Sequence, residues 1–60
     1  METYEIRLFN NHGQTSLIYK TMCVSDEHAK ETLERIEAPY TRFQIWRGMT
    51  RIAEGWRIAA

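Results

Sequence analysis

Cys23 carries the only thiol in the chain and lies two residues before Ser25, where a helix-like stretch begins. A thiol near a helix N-terminus can have a lowered pKa, and His28 follows five residues later. The first chemistry to weigh is therefore a nucleophilic or redox cysteine with an imidazole at hand. Free cysteines more often serve as small buried hydrophobes, and nothing else in the sequence completes a catalytic set. His12 sits beside Gly13 among residues that favour turns, and His28 is expected to be solvated on the first helical turn. Neither histidine is flanked by a cysteine pair or by acids at metal-ligand spacing. Glu27, Glu31 and Glu34 read as a charged helix face, since nothing places them in a pocket. Trp46 and Trp56 would need further aromatics converging on one point to cage a cation; they read as core or interface anchors. No catalytic residue, metal or cofactor is expected, and the protein reads as non-enzymatic.

The elements that would position these residues can be read in turn. One helix is predicted, running from a Ser25 N-cap to Ala38. A serine hydroxyl there can accept a bond from a free backbone N–H of the first turn, and Val24 and Ala29 are spaced for a hydrophobic staple. Asp26 and Glu27 fall where the macrodipole favours acids. Ala29, Leu33 and Ile36 form one apolar stripe, and Pro39 disfavours helical geometry at Ala38. A helix of about three turns does not persist alone in water, so the stripe must pack on strands.

Four strands are predicted. Thr3 to Phe9 alternates, with Tyr4, Ile6 and Leu8 on one face. The cluster Asn10-Asn11-His12-Gly13-Gln14 is a hairpin loop. Thr15 to Val24 returns with apolar residues on both faces, as in a central strand or one covered by another chain. Arg42 to Arg47 and Arg51 to Ile58 are joined by a turn at Gly48, where glycine supplies the backbone angle. Gly55 is a candidate bulge that would invert the parity beyond it, and Ala59 and Ala60 are expected to fray. The order ββαββ predicts an α+β domain: a four-stranded, mostly antiparallel sheet with one helix packed on one face. A right-handed connection favours strand order 2-1-3-4, with 2-1-4-3 as the alternative. The expected core is Ile6, Leu8, Ile18, Met22, Ala29, Leu33, Ile36, Phe43, Ile45, Ile52 and Ile58, with Tyr4 and Trp56 at its margins.

Sixty residues are expected to form a single domain. Such a chain buries only about 60% of its unfolded surface and is marginal as a monomer. One cysteine excludes an internal disulfide, which leaves oligomerisation as the natural supplement, and it fits a reducing compartment. No run of about 18 apolar residues could span a membrane, and the N-terminus has no signal-peptide pattern; a cytoplasmic protein is expected. The net charge is zero, which argues against non-specific nucleic-acid binding by the whole surface. The charges are unevenly spread: five acids and two bases over residues 26–37, against four arginines and Glu54 over residues 40–60.

One helix covers one side of the sheet. The other side is expected to display Glu5, Arg7, Phe9, Tyr19, Arg42, Gln44, Trp46, Arg51 and Arg57. Exposed patches rich in apolar side chains mark interaction surfaces, and aromatics with arginine are the types enriched in buried interfaces. The reading is a self-associating module, a homodimer through the open face or an edge strand, with Phe9, Tyr19, Arg42 and Trp46 as interface residues. Another protein could use the same face. The alternative is a nucleic-acid-binding module in which Arg7, Arg42, Arg51 and Arg57 track phosphates and Trp46 stacks a base. It lacks the basic excess of such domains.

Overall fold

A computed structural model describes residues 1–57 of the chain. Four antiparallel strands form one open sheet: β1 (Glu2–Phe9), β2 (Thr15–Cys23), β3 (Arg42–Arg47) and β4 (Thr50–Trp56), in the order β2-β1-β3-β4. The helix α1 (Asp26–Arg35) links β2 to β3 and lies over β1 and β2. The α+β class, the ββαββ order and the preferred strand order agree with expectation. Ile58, Ala59 and Ala60 lie outside the described residues.

Both hairpin turns follow from local chemistry. In the first, the Asn10 side-chain oxygen accepts from the His12 and Gln14 backbone N–H groups at 2.9 and 3.0 Å, and Gly13 adopts φ 78°. In the second, Gly48 takes φ 59° while Met49 stays at negative φ. Positive φ at the first of two turn residues is the type II′ pattern, whose twist suits antiparallel strands.

The helix begins as expected and ends early. Ser25 Oγ accepts from the His28 backbone N–H at 3.1 Å. His28 is half-buried rather than solvated, because its Nδ1 accepts from the Val24 backbone N–H at 3.2 Å. This resembles a capping box displaced by one residue, since the histidine side chain accepts from the N–H that precedes the Ser25 cap and not from that of the cap itself. Val24 itself points to solvent, so there is no staple. The last turn closes at Arg35, and Ile36 is already extended, its N–H bonded to the Leu33 carbonyl. Ending there lets Ile36 turn onto the core.

Tyr4, Ile6, Leu8, Cys23, Ala29, Leu33 and Ile45 form the buried core, with Ile36, Phe43, Ile52 and Ala53 packed around it. Tyr4, expected at the margin of the core, is fully buried within it, where its ring lies beneath the helix N-terminus and its hydroxyl reaches Asp26. Three further expectations are corrected. Register pairs Ile6 with Tyr19 and Glu2 with Cys23, so Leu17, Tyr19, Thr21 and Cys23 share the helix side. Ile18 and Met22, expected in the core, face the opposite side and are exposed. Cys23 decides the matter, since its small side chain fits fully buried beside the helix. The third correction is Trp56, which pairs with Arg42 on the open face. A bulge lies in β4, but at Ile52 rather than Gly55: Ile45 pairs with Ala53 while Trp46 pairs with Arg51. The extra residue lets Ile52 and Ala53 both reach the core while Arg51, Glu54 and Trp56 face away.

Gly55 has a different role. A Cβ there would lie 2.7 Å from ring atoms of Phe43, its cross-strand partner; the glycine is the seat of that ring. Gly55→Ala is expected to destabilise by about 1–3 kcal/mol through overpacking. Thermal unfolding measures it, and the cost should shrink when Phe43→Leu is added.

The helix N-terminus is pinned to the sheet by polar groups. Tyr4 is fully buried along its ring, and its hydroxyl donates to Asp26 Oδ1 at 2.7 Å. Arg47 Nη1 donates to the same oxygen at 2.9 Å. The Tyr4 bond, with help from the Arg47 charge, holds the Asp26 carboxyl below its ordinary pKa, and the same bond raises that of the tyrosine. A depressed folded pKa contributes stability above the unfolded value of 3.8, lost as pH falls through the lower folded value. Asp26→Asn should therefore lower the melting temperature at neutral pH. Its deficit relative to the native chain should shrink as pH is taken below the unfolded value of 3.8 and close once pH has passed through the lower folded value.

Candidate interaction surfaces

The face away from the helix is built in cross-strand rows. One row runs Lys20, Glu5, Trp46, Arg51; the next Ile18, Arg7, Gln44, Glu54; the third Phe9, Arg42, Trp56. The alternation of β1 and β3 sets the first two columns, and the Ile52 bulge brings β4 into line. Within these rows the charged groups are paired. Glu5 binds Arg7 and lies 3.9 Å from Lys20. Glu54 accepts from Arg42 Nε at 3.2 Å and from Gln44 Nε2 at 2.8 Å, and stands 3.8 Å from Arg51. Arg42 and then Gln44 hold the Glu54 carboxyl below its usual pKa.

Gln44 is the node of this network. It is the buried polar residue of the sheet, and its Oε1 accepts from the Trp46 indole N–H at 3.1 Å. No buried side-chain polar atom among the described residues lacks a partner. The arginines also cover the aromatics: the Arg7 guanidinium sits 4.7 Å from the Trp46 ring centroid, and that of Arg42 lies 5.0 Å from Phe9 and 5.7 Å from Trp56. These are cation–π distances. Phe9 and Trp46 are half-buried as a result.

Five of the seven residues expected to form a binding face share it: Arg7, Phe9, Arg42, Trp46 and Arg51. Tyr19 lies on the helix side by register, and Arg57 follows it there, its guanidinium 5.1 Å from the Tyr40 centroid. Ile18, Met22 and Trp56 are the open-face residues that sequence reasoning missed. They are 53%, 52% and 73% exposed. The signal for the first two was present in the two-sided apolar pattern of β2, which left its facing undecided until the partner strand was known.

β2 is a second candidate surface. It is an edge strand, and Thr15 through Lys20 are all exposed. Leu17 and Tyr19 on one side, with Ile18 and Met22 on the other, remain accessible along it. The opposite edge, β4, is interrupted by its bulge and carries Arg51 and Glu54.

A third feature lies past the end of the helix. Because α1 lies over β1 and β2, an open cleft of about 850 Å3 remains beyond its C-terminal end, lined by Glu34, Ile36, Pro39, Tyr40 and Arg57 among others. Leu33, Phe43 and Ala53 line a smaller neighbour of about 350 Å3.

Among the described residues, no three His, Cys, Asp or Glu side chains are grouped to hold a metal ion. No helix there is long and apolar enough to cross a membrane. The Cys23 sulfur is buried, 4.0 Å from Thr32 Oγ1. No protein-family model, curated protein or solved structure matches the chain.

The stack of Arg7 on Trp46 has a spectroscopic consequence. In a Trp56→Phe background Trp46 is the sole tryptophan. Arg7→Ala should then increase acrylamide quenching of its fluorescence, while Lys20→Ala should not.

Proposed function

We propose that the protein is a non-enzymatic interaction module that self-associates as a homodimer by strand addition at β2. The observation that supports this best is that β2 is an unprotected edge with large apolar side chains exposed on both of its faces. An edge strand presents a row of unpaired backbone donors and acceptors, and monomeric proteins blunt such edges with charges, proline or bulges. β2 has a bulge only at Ser16, near its start, and Lys20 as its one charge. Pairing with a second strand would satisfy the backbone and cover Leu17, Ile18 and Tyr19 together. It would also supply the burial that a chain of this length lacks.

The open face supports the role less strongly. Its arginines are matched to Glu5 and Glu54, and Phe9 and Trp46 lie under guanidinium groups, which leaves Trp56 as its exposed aromatic. The same pairing weighs against a phosphate-tracking surface, since each arginine would have to exchange an acid for a phosphate with no basic excess nearby.

Light scattering over a range of concentrations tests the reading. The native chain should approach the mass of two chains. Ile18→Lys, at an exposed site on the edge, should give a folded monomer, because an ammonium group would be desolvated without a partner. Trp56→Lys, on the far strand of the open face, should remain dimeric. A native monomer would overturn self-association; a dimer lost through Trp56→Lys and retained by Ile18→Lys would move it to the open face.

A further inference from the structure

We infer that the second copy pairs with β2 antiparallel about a two-fold axis passing through Ile18. This rests on the edge-strand dimer proposed above and specifies its register. A two-fold interface is self-complementary: if residue i faces residue j, then j faces i. For two antiparallel edges the axis stands perpendicular to the sheet, so directly opposed residues share a face and both helices lie on one side of a continuous eight-stranded sheet. The axis must then pass through a residue that meets its own copy. Near the middle of β2 the choices are Ile18, Tyr19 and Lys20.

The side chains on β2 separate these choices. An axis at Lys20 sets two ammonium groups directly opposite each other, and like charges in that position are destabilising. An axis at Tyr19 leaves one apolar match, tyrosine on tyrosine, and places Ile18 against the partner's Lys20 and Met22 against the partner's Ser16. An axis at Ile18 makes three apolar matches: Ile18 with its copy on the open face, and Leu17 with the partner's Tyr19 twice on the helix side. Aliphatic–aromatic and β-branched cross-strand pairs are favourable ones. It also sets Lys20 opposite the partner's Ser16, leaving the lysine free to keep its neighbour Glu5 at 3.9 Å. The exposures of Leu17, Ile18 and Tyr19, on two faces of one strand, become one interface under this single operation.

Disulfide trapping reads the register directly. In a Cys23→Ala background, single cysteines are placed at Ile18, Tyr19 and Lys20, all exposed positions. Antiparallel partners lie about 4.5–5.5 Å apart between Cα atoms, within disulfide reach. Under mild oxidation Ile18→Cys should run as a covalent dimer of doubled mass and outpace the other two. A mixture of Leu17→Cys and Tyr19→Cys chains should form the mixed disulfide in preference to either homodisulfide. Faster trapping at Tyr19→Cys or Lys20→Cys would overturn the Ile18 axis while leaving the dimer intact. No trapping at any of the three, in a protein with the mass of two chains, would overturn pairing at β2. A native mass of one chain would overturn the dimer itself.

Discussion

A single ten-residue helix has to cover a sheet four strands wide. Such a helix is about 15 Å long and 10 Å across, while four strands set about 4.8 Å apart spread over roughly 14 Å before side chains are added. Cover is therefore short on the side that has the helix, and among the described residues no element covers the opposite side. The helix is placed where its limited stripe does most. Ala29 and Leu33 close over Tyr4, Ile6 and Leu8 of β1 and Cys23 of β2, and the Tyr4–Asp26–Arg47 cluster holds its N-terminus to the strand ends. What the helix does not reach is finished by other means: Phe43 lies over Gly55, the Ile52 bulge turns two consecutive residues inward, and Ile36 leaves the helix to pack beside the core.

The uncovered face is handled with polar chemistry instead of apolar cover. Gln44 links Trp46 to Glu54, Glu54 gathers Arg42 and Arg51, and Arg7 and Arg42 lie across Trp46 and Phe9. A sheet face of this kind can meet water without leaving buried groups unbonded. β2 has no such arrangement. Its residues Thr15 to Lys20 are exposed on both faces, the helix covers only its Cys23 end, and among the described residues no strand lies beside its outer edge. The difference between the two surfaces is the physical reason for assigning self-recognition to the edge.

Much of the architecture could be read from the residues themselves. Period-two alternation in β1 and β3, the Ser25 cap with its apolar stripe, and glycine at both turns specify the elements, and the handedness of the connection selects the strand order. Facing was harder. In β2 both parities are apolar, and only the burial of Cys23 against the helix chooses between them. That choice moved Tyr19 to the helix side and Ile18 and Met22 away from it. In β4 the parity depends on one inserted residue, and Gly55, the visible candidate for it, is instead the seat of a ring. The bonds of Glu54 to Arg42 and of Glu5 to Lys20 could not be read from the sequence because each joins neighbouring strands and depends on their register, whereas Arg7 and Arg51 lie close in sequence to the acids they meet. The early end of the helix turned on Ile36, whose apolar character fits the stripe equally well as a last helical position or as the first residue beyond it.

The most direct test of pairing at β2 is amide hydrogen exchange resolved residue by residue along the strand. In an antiparallel sheet alternate residues direct their N–H groups to opposite edges, so β1 alone can protect only every second amide of β2. If a second copy pairs with the edge, consecutive amides from Leu17 to Tyr19 should be slowed alike, and dilution should release the outward-facing set. Fast exchange of every second amide at all concentrations would contradict the account.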